Sequence, residues 1–406
     1  MTDRLHLADG TAEVLNSLRR SLAGAGVTAP LPADQAEREQ TLTMLRPGVD
    51  VEEAGAAAVV ATSGSTGHPR GVVLSRAALI ASAEATHERL GGPGRWVLAL
   101  PAHYVAGLMV LVRSLVADRP VVEVDGRLDA LPTIDLTGDG PHYLSVVPTQ
   151  LGRALGDPAR TAVLRRFDAV LLGGAAADQP MLEAAADAGI RVVTTYGMSE
   201  TCGGCVYDGI PLDGVDVAAD ENGRLSIGGP TLFAGYRLDP AATADTLIDG
   251  WLRTRDRGEI RGDGRVTVLG RLDDVVISGG LNVDLAAVER TVRAWADTVL
   301  AGTEAAVVGV PHPDWGTEVV AVVGAEQNQA LVPAPTHDPG SLESVSGRFF
   351  LSDLRDALAG RLPTYAAPRR LVVRPTLPRT SGGKIDRRQL IADLTERPVD
   401  RPEDPT

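Results

Sequence analysis

From about residue 56 to 200 the chain alternates short apolar runs with segments of helical character, and this alternation constrains the fold more than any other feature. AAAVVAT reads as a strand, SRAALIASAEATHERL as a helix with Ser75 at its N-cap, RWVLAL as a strand and YVAGLMVLVRSLVAD as a mostly apolar helix. The strand YLSVV, a helix from PTQLGRAL, the strand FDAVLLGG, the helix QPMLEAAADAG and the strand IRVVTTYG continue the series. Short strands separated by helices predict a largely parallel sheet covered on both faces. Beyond about residue 205 the texture changes: GRLSIGG, GYR, GWLRTRD and GDGRVTVLG are short and Gly-punctuated, the mark of antiparallel strands and tight turns. After GRLDD (270–274) a shorter α+β pattern follows, with the helix DLAAVERTVRAW, the strands EAAVVGV and VVAVVGA, a stretch of loop composition, QNQALVPAPTHDPGSLESVSG, and the helix SDLRDALAGRL. A chain of 406 residues exceeds what one core usually carries. The expected class is α/β: an N-terminal domain, 1–271, of mostly parallel sheets with helices and a small antiparallel β subdomain, then a small α+β C-terminal domain, 272–406. The tail ERPVDRPEDPT has the composition of a disordered segment.

Between the first strand and VVLS lies the loop in ATSGSTGHPRG, where seven of eleven residues are Gly, Ser or Thr. Such a loop gains little from packing, and each glycine costs backbone entropy on ordering. What it offers is a run of closely spaced N–H and O–H donors that can wrap an anion. The P-loop pattern of NTPases needs a lysine after its second glycine, and none is there.

The net charge of -14 argues against a nucleic-acid or anionic-membrane surface, so any phosphate site must be local. MTDRLHLADG lacks the features of a secretory signal, and the longest apolar run, VAGLMVLV, is too short to span a bilayer. The expectation is a soluble, cytoplasmic protein without membrane insertion. Its oligomeric state is left open, a homo-oligomer among the options. Cys202 and Cys205, in TCGGC, lack the second pair or nearby histidines of a zinc site and read as small packing residues, with a redox switch as the lesser alternative. Of 39 basic residues a single one, Lys384, is lysine. A lone lysine is ordinarily a solvated charge. In a chain that uses arginine everywhere else, a retained ammonium marks a position where a compact charge on a flexible stem is needed.

The strand–TSGSTGHPRG–strand arrangement resembles the phosphate loop of the adenylate-forming enzymes, the superfamily of acyl-CoA synthetases, luciferases and peptide-synthetase adenylation domains. Five later stretches resemble its motifs in the same order, and with the loop they cover about residues 56 to 390. The resemblance implies that Thr62, Ser63, Gly64, Ser65, Thr66, Gly67 and Arg70 hold the phosphates of ATP, with Arg70 where the family usually has lysine. GGAAA (173–177), with Gly173, Gly174 and Ala175, resembles one wall of the adenine slot. YGMSE (196–200) resembles the adenine-and-magnesium motif, with Tyr196 stacking on the purine, Gly197, Met198 and Ser199 beside it, and Glu200 contacting Mg2+. GWLRTRDRG resembles the ribose-binding stretch, with Asp256 accepting from the sugar hydroxyls. GRLDDVVISGG resembles the hinge motif, with Arg271 near the ribose, Asp273 as pivot and Gly279 and Gly280 lining the CoA channel. SGGK supplies Lys384 where the family keeps its catalytic lysine. By resemblance, the C-terminal domain is mobile and the chemistry has two halves. A carboxylate first attacks the α-phosphorus of ATP, giving an acyl-adenylate and pyrophosphate; a thiol then expels AMP.

Two stretches bear on the acid. LPAHYVAGLMVLVRSL carries one cation, Arg113, in an apolar helix, where it must snorkel, pair with an acid or meet a ligand. SVVPTQLGRAL together with YGMSETCGGCVYDG resembles the o-succinylbenzoate–CoA ligases of menaquinone biosynthesis. Their substrate is an aromatic diacid, and Arg113 falls where those ligases carry a basic residue. The family commonly has an aromatic then His before the small-x-Gly step; here the order is His103-Tyr104, so Tyr104 stands in register with the pocket-closing His. The implied function is an ATP-, Mg2+- and CoA-dependent ligase for o-succinylbenzoate. The alternatives are a ligase for another aromatic or short acid, and a stand-alone adenylation domain loading a carrier protein. No carrier module is legible after residue 390, which lowers the last. A nucleotide binder without chemistry is disfavoured by the joint presence of Glu200, Asp256 and Lys384.

Overall fold

The computed structural model describes residues 4–62, 70–175, 179–300, 303–324, 350–380 and 384–396. The loop-composition stretch 327–347 and the tail 397–406 lie outside them. The chain divides into two compact units, the first Met1–Thr254 with Glu259–Thr267, the second Arg255–Gly258 with Val268–Thr406.

In the first unit the strands expected to form one parallel sheet are shared between two. One sheet takes Leu5–Asp9, Val27–Leu31 and Ala56–Thr62 in parallel, then Arg70–Ser75 and Gly235–Tyr236 antiparallel. The cause is local: Ala56–Thr62 and Arg70–Ser75 fold back on each other with Thr62 opposite Arg70, so the second stays beside the first. The helix Arg76–Leu90 then carries the chain to a new sheet. Its N-cap Ser75 hydroxyl accepts from the Ala78 amide at 3.1 Å, as the sequence predicts. The second sheet runs Ile210–Pro211, Gly203–Tyr207, Val192–Met198, Ala169–Leu172, His142–Val146, Arg95–Leu98, Val122–Glu123. It is parallel from Val192–Met198 onward and antiparallel at its first two strands. Alternate residues of its strands face two cores: Trp96, Leu98, Tyr143, Ala169 and Leu171 on one side, Val97, Leu144, Val146, Val170 and Leu172 on the other. The helix Val105–Val116 belongs to the former, together with Ala57, Val60, Val72 and Leu74 of the first sheet. Every residue from Gly107 to Ser114 is buried there, which is why the sequence of this helix is apolar all round. A third, antiparallel sheet includes Asp216–Ala219, Arg224–Gly228 and Leu247–Ile248, joined by Trp251–Ile260 and Val266–Arg271, which run through both units.

The second unit is α+β, as expected. Its sheet runs Leu281–Asp284, Val275–Ser278, Gly316–Gly324, Glu304–His312, with Arg370–Arg374 parallel to Gly316–Gly324. The helices Leu285–Val299 and Leu351–Leu358 cover one face, and Arg387–Glu396 packs Leu390 and Leu394 on the other. No helix among the described residues is long and apolar enough to cross a membrane.

Candidate nucleotide and acid site

The paired strands Ala56–Thr62 and Arg70–Ser75 end at Thr62 and Arg70, which flank the phosphate loop in sequence, with the Thr62 hydroxyl on the Arg70 carbonyl at 3.3 Å. Ser63, Gly64, Ser65, Thr66 and Gly67 lie outside the described residues. Arg70 sits over the ring of Tyr236, 5.3 Å from its centroid. The Tyr236 hydroxyl in turn donates to Glu200 Oε1 at 2.8 Å. Burial and the adjoining Glu200 charge push the Tyr236 phenol far above its usual pKa, so it remains a donor at any working pH. The Phe233 amide donates to the Glu200 carbonyl at 2.8 Å, and the Phe233 ring meets Tyr236 edge-on. One tyrosine thus brings the cation and the carboxylate of two distant motifs together. Sequence reasoning placed the segment GYR but gave Tyr236 no role; the available signal was a tyrosine in a chain with only six.

Tyr196, Gly197 and Met198 end the strand Val192–Met198, and Ser199–Glu200–Thr201 form a single 3-10 turn. Thr201 is buried and holds that turn: its hydroxyl accepts from the Met198 amide at 2.9 Å and donates to the Gly203 carbonyl at 2.7 Å. A Cβ on Gly197 would lie 2.1 Å from the Gly203 carbonyl oxygen, so only glycine permits the chain to turn back this tightly. Gly173, Gly174 and Ala175 follow the strand Ala169–Leu172, whose Leu172 is opposite Thr194; the two expected walls of the adenine slot are therefore ends of adjacent parallel strands. Cys202 and Cys205 are fully buried core residues with thiols pushed up by burial, in keeping with the packing reading.

His103 and Tyr104 precede the helix Val105–Val116, with Tyr104 at its N-cap. The Tyr104 hydroxyl donates to Glu37 Oε1 at 2.6 Å, and His103 Nε2 lies 3.9 Å from the same oxygen. Burial holds the His103 pKa down against the pull of Glu37. Glu37 comes from the helix Gln35–Leu45, a part of the chain that carried no sequence signal of function. Arg113 lies nine residues along the same helix, about 13 Å by helical rise, so the three acid-pocket candidates form two separate groups.

Arg113 is 4% exposed. Its Nη2 donates to the Tyr207 hydroxyl at 3.3 Å and its guanidinium lies 4.9 Å over the Trp96 ring. Its Nε has no hydrogen-bond partner, and it enters no ion pair among the described residues. Tyr207 is shared with the Thr86 hydroxyl at 3.0 Å, and Trp96 Nε1 donates to His87 Nε2 at 3.2 Å. Burial and the charge of Arg113 lower the His87 pKa to about 4, which keeps that ring neutral. Of the three fates open to this cation, snorkelling and pairing with an acid are thus unrealised among the described residues.

In the second unit, Arg271 reaches Asp256 Oδ1 at 3.7 Å and Asp273 Oδ2 at 3.3 Å, and Arg255 meets the same Asp273 oxygen at 3.0 Å. Burial pushes the Asp273 carboxyl up, but the hydrogen bonds and charges of Arg255 and Arg271 outweigh it, so its pKa lies below the usual value. Lys384 is an exposed residue, yet loss of water around its ammonium lowers its pKa. Arg271 acts in the same direction and Asp256 in the opposite one. Asp256, Arg271 and Lys384 are therefore within electrostatic reach of one another, as the motif order implies. Gly279 and Gly280 make the two-residue turn between Val275–Ser278 and Leu281–Asp284, with φ of 58° and 81°. A Cβ on Gly279 would stand 2.9 Å from the Trp315 ring.

The descriptions AMP-binding enzyme and AMP-binding enzyme C-terminal domain match residues 8–240 and 297–384 of this chain. The chain belongs to the AMP-binding enzyme family. A Mycobacterium tuberculosis protein named a probable 2-succinylbenzoate–CoA ligase is 44% identical over 396 residues, covering 95% of this chain and 97% of its own length. A 2-succinylbenzoate–CoA ligase of Geobacillus kaustophilus is 31% identical over 416 residues, covering 95% and 77%. Among solved structures, the o-succinylbenzoate CoA synthetase MenE of Bacillus subtilis, in complex with the acyl-adenylate intermediate OSB-AMP, is similar with a TM-score of 0.68 at 25% identity. That match covers 95% of this chain and 82% of the other. The first AMP-binding match takes in Thr62, Arg70, Arg113 and Glu200, and the second ends on Lys384. Asp256, Arg271, Asp273, Gly279 and Gly280 fall between the two.

Proposed function

We propose that this AMP-binding enzyme is a 2-succinylbenzoate–CoA ligase. It converts the diacid and ATP to an acyl-adenylate and pyrophosphate, and the adenylate and CoA to 2-succinylbenzoyl-CoA and AMP, a step of menaquinone biosynthesis. The observation that carries the choice of acid is Arg113. Burying an unpaired charge costs several kcal/mol. One cation–π contact, ~2 kcal/mol when desolvated, and one long charge-assisted hydrogen bond, ~1.5 kcal/mol, do not offset that and leave Nε without an acceptor. A substrate carboxylate does, and a diacid has one to spare after the other is activated. The names of the relatives point to the same acid.

In this reading Thr62, Ser63, Gly64, Ser65, Thr66, Gly67 and Arg70 hold the ATP phosphates, and many modest donors suit charge spread over the leaving pyrophosphate. Tyr196, Gly197, Met198 and Ser199 with Gly173, Gly174 and Ala175 enclose the adenine. Asp256 and Arg271 address the ribose. Lys384 neutralises charge that builds between the attacking carboxylate and the α-phosphate. Mg2+ is commonly held by one or two carboxylates together with substrate phosphates, and Glu200, with one oxygen fixed by Tyr236, suits that role and would help neutralise the phosphates. His103 and Tyr104 border the acyl group, and Gly279 and Gly280 the CoA channel. The domains divide at 271–272, with Asp273 as hinge. A cytoplasmic location fits this reading, and the charge of -14 disfavours nucleic acid and anionic membrane as partners.

The test is mass spectrometry of products after incubation with ATP, magnesium and CoA, using 2-succinylbenzoate, benzoate and short fatty acids in parallel. Thioester from 2-succinylbenzoate alone is expected. Thioester from a monoacid instead would keep the chemistry and remove Arg113 from the pocket. Pyrophosphate release without thioester would point to a carrier protein as the thiol.

A further inference from the structure

Glu289, on the helix Leu285–Val299, is 7% exposed. A carboxylate there must be fully paired, and it is. The Val307 amide donates to Oε2 at 2.9 Å, Arg387 Nη2 to the same oxygen at 2.6 Å, and Arg293 Nη2 meets Oε1 at 2.7 Å. Val307 belongs to Glu304–His312, the last strand in its sheet order, whose outer backbone groups have no neighbouring strand to bond among the described residues. Glu289 closes one of them. Arg293 Nε closes another, the Ala305 carbonyl, at 3.0 Å.

Edge capping accounts for Glu289 and Arg293 but not for Arg387, whose side chain is 43% exposed and could be satisfied by water. Arg387 opens the helix Arg387–Glu396, three residues after Lys384. That helix packs Leu390 and Leu394 with Ala306, Val308 and Val310, on the face of the edge strand opposite to the one that Ala305 and Val307 share with the helix Leu285–Val299. The Glu289–Arg387 pair therefore ties the two helical layers together around the strand, at the point where the Lys384 segment enters its helix. On the other side of Lys384, an ion pair joins Arg379 to Glu304 of the same strand. The Thr380 amide donates to the Lys384 carbonyl at 2.8 Å, and the Asp386 amide to the Pro378 carbonyl at 2.8 Å. The segment is clamped on both sides of the lysine to one strand. Arg387 also lies close enough to the half-buried Asp274 to oppose the rise of its pKa, so the same guanidinium adjoins the GRLDD stretch.

We propose that Glu289 is a positioning residue for Lys384, acting through Arg387, so that the ammonium is presented in a fixed place for adenylate formation. The inference rests on the role proposed above for Lys384. Glu289→Gln keeps an oxygen for the Val307 amide and removes the charge facing Arg387. ATP–pyrophosphate exchange with 2-succinylbenzoate is expected to fall roughly 10- to 100-fold, the scale on which small misplacements of a reacting group act. Thioester formation from supplied 2-succinylbenzoyl-adenylate and CoA should change by less than about twofold, since that half does not use the lysine. Arg387→Gln, at a partly exposed side chain, leaves Glu289 its Arg293 and Val307 partners and should give the same split, and the double variant should be no worse than the poorer single one. Lys384→Ala is the control. If it fails to depress exchange selectively, the assignment of the lysine falls. If it does so while Glu289→Gln slows both halves equally or neither, Glu289 is an edge cap alone and the proposal is overturned.

Discussion

Arg113 and Glu289 are both buried charges on helices, and their surroundings differ in one respect. Glu289 has two guanidiniums and an amide, so each of its oxygens is engaged. Arg113 has an aromatic ring, one hydroxyl and a free Nε, with no anion among the described residues. A satisfied buried ion fixes the elements around it, whereas an unsatisfied one stores a cost that a ligand can relieve. The difference separates scaffold from binding site without reference to motif.

The comparison breaks most visibly at Arg113. Arg113→Met should raise KM for 2-succinylbenzoate roughly a thousandfold, the ~4 kcal/mol expected when one partner of a desolvated charge pair is removed. It should also leave the ligand-free protein as stable as before or about 1 kcal/mol more stable, because an unpaired charge has been exchanged for a thioether of similar length. Steady-state kinetics and urea unfolding without ligand check the two signs; a loss of both affinity and stability would return Arg113 to the core. Glu289→Ala should do the reverse in the ligand-free state. It strands two arginines and an edge amide and should cost about 3 kcal/mol in unfolding of the second unit, near the lower end for a broken buried pair since both arginines can turn to water. A change below about 0.5 kcal/mol would mean the network is no more than surface ion pairing.

These two residues also show what was legible beforehand. The nucleotide motifs could be read because each is a contiguous string whose chemistry is local, and Arg113 because a single cation interrupts an apolar helix. Glu289, Tyr236, Glu37 and Thr201 could not. Glu289 is an ordinary charge in an amphipathic helix until the edge strand and Arg387, 98 residues later, arrive beside it. Tyr236 matters because a two-residue strand sets it against Val72, and with it against Arg70 and Glu200. The alternation of strands and helices was visible, but the division into two sheets was not, since it depends on one hairpin turning back at residues 62–70. The strands Leu5–Asp9 and Val27–Leu31 escaped notice because they are short, and the second contains Pro30.

Smaller effects sharpen the contrast at Arg113. Tyr207→Phe removes the hydroxyl that orients the guanidinium and should raise KM for the diacid by about tenfold, the ~1.5 kcal/mol of a long hydrogen bond to a charged group. It should leave kcat/KM for any monoacid substrate unchanged; equal losses for both acids would mean that Tyr207 only fills the core.

The smallest effect comes from His87. Its folded pKa of about 4 lies below the ordinary 6.5 because burial and Arg113 disfavour a second positive charge. The unfolded chain therefore binds more protons between those values, and the contribution of His87 to stability is complete above pH 6.5 and lost as pH falls toward 4. Between pH 7 and 5.5 the loss should be roughly 1 kcal/mol. His87→Gln can still accept from Trp96 Nε1 but cannot titrate, so unfolding free energies measured across that range should lose this part of their slope. A bound diacid should have a smaller effect of the same sign in the natural protein: its carboxylate beside Arg113 offsets the repulsion but not the burial, raises the His87 pKa in part and flattens the acid side of the stability curve. If the substitution flattens the slope and saturating ligand does not, no anion meets Arg113.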